Sequence, residues 1–121
     1  MNTNPYMKYQ QATVQTSGPQ LLLMLYDGAI KFVRFGLEGI QHRNVEQANT
    51  NLIKAQKILH ELIASLNYDY EISKNLVLIY EYMIRQLILA NSTKREGPAR
   101  EVLGYLTEMR ETWAEAAKKP V

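Results

Sequence analysis

Prolines occur only at positions 5, 19, 98 and 120, so no proline between residues 20 and 97 breaks a helix by removing a backbone donor. Across that span apolar residues recur with a helical period, and no stretch keeps the strict alternation of a strand. Four turn signals cut the pattern: Ser17-Gly18-Pro19, His42-Arg43-Asn44, Asn67-Tyr68-Asp69 and Gly97-Pro98. The spacing predicts four helices, near residues 18–41, 45–66, 70–92 and 98–117. Short connections between helices of similar length force neighbours to run antiparallel. The expected fold is therefore all-α, an antiparallel up-down-up-down four-helix bundle. At 121 residues the chain is one domain with its own core: an irregular or short-helical cap segment at 1–16, then the bundle at 17–121.

Helix starts follow from local chemistry. Ser17-Gly18-Pro19-Gln20 fits a capping box, with Pro19 in the first turn where its missing N–H costs nothing. Asn44 is placed to cap the second helix and Asp69 the third. Gly28, Gly36 and Gly39 in the first helix suit close helix packing.

A bundle helix needs one apolar stripe. The fourth helix has one, Val102, Leu106, Met109, Trp113 and Ala116. The second has Leu52, Ala55, Leu59, Leu62, Ile63 and Leu66, with Ile53 and Ile58 falling off it to opposite sides. The first and third helices carry more than a stripe. Leu21, Met24, Leu25, Phe32 and Phe35 form one row of the first, and Leu22, Tyr26, Ala29, Val33, Leu37 and Ile40 a second beside it. In the third, Ile72, Leu76, Ile79, Tyr80, Met83, Leu87 and Ala90 make the expected core row. Val77, Ile84 and Ile88 follow as a second row, and Leu78, Tyr82 and Leu89 as a third.

Two readings of this surplus stand side by side. Either the first and third helices are the more buried pair, or some rows line a groove for a partner, because soluble monomers seldom leave large apolar patches without use. An amphipathic segment from another chain would cover such a groove. Residues 1–16 offer a removable lid through Tyr6, Tyr9 and Val14. The partner-binding candidates are Tyr6, Tyr9, Val14, Leu22, Tyr26, Ile53, Ile58, Val77, Ile84 and Ile88.

Other chemistry is poorly supplied. There is no cysteine, which removes disulfides, thiolate metal sites and thiol catalysis. His60 has no Glu or His three or four positions away, His42, with Glu38 and Glu46 four positions off, falls in a predicted turn rather than on a helix face, and no phosphate-binding or nucleophile-elbow motif occurs. No cofactor and no enzyme activity are expected. A formal charge of +2 is too small to imply nucleic acid or an anionic membrane as the main partner. No apolar run reaches the length of a membrane span, and residues 1–16 lack a secretory core. A soluble, intracellular protein is expected. Eight tyrosines against two phenylalanines favour half-wet contact surfaces, hence a binding protein.

The run Tyr9-Gln10-Gln11, then Val14 through Leu21 into Met24-Leu25-Tyr26-Asp27-Gly28-Ala29-Ile30, resembles the N-terminal signature of the FliS family of flagellin export chaperones. The likeness continues through Asn51-Leu52-Ile53-Lys54-Ala55-Gln56, Ile79-Tyr80-Glu81-Tyr82-Met83, Ala90-Asn91 and Arg110-Glu111 to Trp113. It spans nearly the whole chain. Gly18 and Glu81 depart from it, where alanine nearby and aspartate are the commoner residues. The resemblance implies a cytoplasmic bacterial chaperone of the flagellar type III export pathway. It would hold flagellin's disordered C-terminal segment, stop premature polymerisation and aid delivery to the export gate protein FlhA. It further implies that the N-terminal segment covers part of the flagellin groove, with Tyr9, and Tyr6 one turn earlier, in partner contacts. Without cargo a monomer or weak dimer is expected. The alternatives are a self-associating structural bundle and a regulator of another flagellar assembly protein.

Overall fold

A computed structural model describes residues 14–16 and 18–118. Its helices are α1 (Pro19–Gln41), α2 (Val45–Ala64), α3 (Glu71–Thr93) and α4 (Glu96–Lys118). Each packs on its neighbours in sequence and α4 returns to α1, closing an antiparallel four-helix bundle; α3 and α4 are the loosest pair.

The helix ends show which local signals operate. Gly18 at the head of α1 has φ +82° and makes no side-chain cap; Pro19 follows it directly. Glycine adopts that left-handed backbone without steric cost. Ser17, expected to cap this helix, lies outside the described residues. Asn44 does cap α2, its Oδ1 accepting the Gln47 N–H at 3.0 Å. Asp69 does not cap α3. That helix starts one residue later, after Tyr70. Asn67 organises the turn instead, accepting the Asp69 N–H on its side chain and the Ser73 hydroxyl on its carbonyl.

The α1–α2 contact is close because glycine permits it. A Cβ on Gly39 would lie 2.6 Å from the Ala48 nitrogen and one on Gly36 2.5 Å from Leu52 Cδ2. The core is built from Leu22, Tyr26, Ala29 and Val33 of α1, Leu52 to Leu62 of α2, Tyr80 to Ala90 of α3, and Val102 and Leu106 of α4. Of the two rows on α1, the one beginning at Leu22 is buried. The row beginning at Leu21 turns outward, with Leu21, Met24 and Phe35 exposed.

Candidate functional site

The bundle is thinnest between α3 and the second half of α4. After Leu106, α4 buries no residue until Ala116; Met109 and Trp113 between them are half-buried. On the facing side, Ile72 and Ile79 are exposed by 41% and 40%, although their spacing places them in the core row of α3. The helices stand apart here, and Met109 and Trp113 fill the space between them only in part. The result is a cleft of about 290 Å³ lined by Val14, Ile72, Leu76, Ile79, Met109 and Trp113, with Glu108 and Thr112 at its rim.

A second cleft of about 450 Å³ adjoins it through Ile79, Glu108 and Met109 and reaches Leu78, Tyr82 and Tyr105. Leu78 is 63% exposed. Together they make one apolar trough, in which the ten residue steps from Ile72 to Tyr82 rise about 15 Å. Glu101 organises its upper end. Its carboxylate accepts from the Tyr82 hydroxyl at 2.8 Å, the Gln86 amide at 3.0 Å and the Tyr105 hydroxyl at 3.3 Å. The two tyrosine rings meet edge to face, 6.3 Å between centroids. Donating to this carboxylate holds the Tyr82 hydroxyl above the usual tyrosine pKa, and the carboxylate's charge does the same for Tyr105.

Beneath the trough the interior is polar at one place. Tyr26 of α1 and Tyr80 of α3 meet hydroxyl to hydroxyl at 2.6 Å, and the Trp113 indole N–H donates to Tyr26 at 3.2 Å. Burial pushes the Tyr26 pKa up to about 12 despite these bonds, and raises that of Tyr80 further, with the neighbouring Tyr26 hydroxyl adding to it. At the cleft's end, residues 14–16 cross the bundle as a short strap, Gln15 bridging antiparallel to Leu66.

The arrangement offers an apolar surface on which a partner can bind. Among the described residues no group of three His, Cys, Asp or Glu side chains could hold a metal ion. No helix among the described residues is long and apolar enough to cross a membrane.

A family model described as "Flagellar protein FliS" matches residues 2–120. This chain belongs to the FliS family. It is 44% identical, over 93% of its length and 86% of the relative's, to the flagellar secretion chaperone FliS of Bacillus subtilis. It is 32% identical to the flagellar secretion chaperone FliS of Salmonella typhimurium, over 91% of this chain and 84% of that one. The Escherichia coli protein of the same description is 28% identical, over 92% and 84%.

Within this FliS-family bundle the ten residues singled out from the sequence separate into three groups. Tyr6 and Tyr9 lie outside the described residues. Leu22, Tyr26 and Ile84 are buried in the core rather than set on an open groove, and Val14, also enclosed, lines the α3–α4 cleft. A helix turns one side to the core, and on α1 the Leu22–Tyr26 row took that side; on α3, Ile84 sits beside Met83 and Leu87 within it. Ile53 and Ile88 are exposed, while Ile58 and Val77 pack half-buried against the core. These four remain on the surface. Of the trough's lining only Val14 was among the candidates, although Leu78 and Tyr82 belong to the surplus third row of α3. What could not be read was that Met109 and Trp113 of α4 pack on the core yet stay half-buried, leaving a cleft beside α3.

Proposed function

We propose that this chain is a flagellin export chaperone. It binds the disordered C-terminal segment of flagellin in apolar grooves as that segment forms helical turns. This keeps flagellin from polymerising in the cytoplasm and aids its delivery to FlhA. The observation that carries the reading is the α3–α4 trough, an uncovered apolar channel about as long as three turns of a docked helix. Ile53 and Ile88, exposed elsewhere on the bundle, extend the surface available to a long, wrapping cargo. The N-terminal segment ahead of residues 14–16 serves as a removable cover.

Ordering a disordered cargo costs several kcal/mol, which burial of roughly 1,000–3,000 Å² offsets. The reading is tested by calorimetric titration with a peptide covering the flagellin C-terminal segment of the same organism. One-to-one binding with a large negative heat-capacity change and a gain in helicity is expected. Absence of binding by folded protein, with a concentration-dependent mass in solution, would instead favour the self-associating bundle.

A further inference from the structure

The buried polar groups form one directed line that runs from the cleft wall to the N-terminal strap. The Leu62 carbonyl can only accept, so the Gln15 NH₂ must face it, at 3.2 Å, and Ser65 Oγ at 2.8 Å. That orientation turns Gln15 Oε1 toward Tyr80, whose hydroxyl donates to it at 2.6 Å. With its hydrogen committed there, Tyr80 accepts from Tyr26 at 2.6 Å. Tyr26 in turn accepts the Trp113 indole N–H, which can only donate. A flip of the Gln15 amide would break both ends at once. Every proton in the line is placed by the group at its end.

We infer that Gln15 is a positioning residue for the cleft: through Tyr80 and Tyr26 it sets the Trp113 indole that forms the cleft wall, and residues 14–16 are a fixed part of that wall. The strap is held accordingly. The Val14 carbonyl accepts from the Asn67 N–H, and the Thr16 N–H donates to the Ser65 carbonyl, both at 2.8 Å. Val14 and Gln15 are fully enclosed. Lifting the strap would break the Gln15 bonds to Tyr80, Leu62 and Ser65 together with the two backbone bonds, leaving the Tyr80 hydroxyl only Tyr26 and the Leu62 carbonyl only the Ser65 hydroxyl as side-chain partners, a costly loss for buried groups. Residues 14–16 therefore do not belong to a removable lid.

The chain has one tryptophan, so a single indole N–H cross-peak reports on the line in an amide-proton NMR spectrum. Gln15→Met keeps the length of the side chain and removes its polar atoms. It should move that peak and speed exchange of the Thr16 and Asn67 amides roughly tenfold, the loss expected for one buried hydrogen bond. Tyr80→Phe cuts the line in the middle and leaves Gln15 bonded to Leu62 and Ser65. It should move the indole peak with the two amides still protected, and it decides the matter should Gln15→Met fold poorly. An unmoved indole peak in a folded Tyr80→Phe variant overturns the line. Removing residues 1–13 should leave both amides protected; rapid exchange would put the strap in the removable segment and overturn the boundary. The claim that the strap stays seated under cargo rests on the flagellin reading. With the flagellin peptide at saturation the same amides should stay slow, and their release would refute it. Failure of the peptide to bind would sink the flagellin reading alone, since the free-protein measurements decide the rest.

Discussion

Leu78→Ala and Ile84→Ala, one turn and a half apart on α3, should have opposite consequences. Leu78 is 63% exposed on the trough, and Ile84 is 7% exposed in the core. Fully burying a leucine side chain is worth about 1.5–3 kcal/mol. The exposed part of Leu78 therefore has about 1–2 kcal/mol still to gain when a cargo helix covers it. Removing it should weaken binding of the flagellin peptide about 5–30-fold. Alanine is the best helix former, so α3 itself should lose nothing. Ile84→Ala opens a core cavity instead and should cost about 2–5 kcal/mol of stability. For a chain of 121 residues the unfolding entropy is about 0.25 kcal/mol/K. The melting temperature should then fall by roughly 8–20 °C. Calorimetric titration and thermal unfolding of both variants provide the check. Unchanged peptide affinity in Leu78→Ala would refute the trough as the docking surface. A melting temperature for Ile84→Ala within about 2 °C of the parent would refute its core placement.

Three further outcomes follow from the geometry. Gly104→Ala meets nothing within 4 Å and should stabilise by about 1 kcal/mol through helix propensity, whereas Gly39→Ala drives a Cβ to 2.6 Å from the Ala48 nitrogen and should destabilise by about 1–3 kcal/mol; urea unfolding separates the two. Asn44→Ala removes the α2 cap and should cost about 1 kcal/mol in the same assay. Because burial raises the Tyr26 pKa from 10.0 to about 12, the folded state holds its proton more tightly than the unfolded state. That contribution to stability is fully present below pH 10 and should be lost as pH rises from 10 towards 12. Tyrosinate absorbance in the folded protein should accordingly lag behind that of the unfolded chain, and Tyr26→Phe should reduce the lag.

How much of this was legible beforehand depends on whether the determinant is local. Pro19, Asn44 and the Gly97-Pro98 pair act on their own backbone neighbourhood, so three of the helix starts were placed within two residues. The α2 stripe was readable because one helix has one buried side, and Leu52, Ala55, Leu59 and Leu62 all went to the core. Where a helix carries two apolar rows, periodicity is symmetric between them. Only the partner helix breaks the tie, as the closeness of Gly36 and Gly39 to α2 does for α1.

The sequence alone determined the helix count, their order, the antiparallel closure and the family signature, because these rest on spacing and on short connections. Tertiary structure decided which rows face inward, how far α4 stands from α3, and that Gln15, Tyr26, Tyr80 and Trp113, separated by up to 98 positions, share one line of hydrogen bonds. Those outcomes depend on side-chain volumes and polar groups meeting across helices, which no single helix specifies.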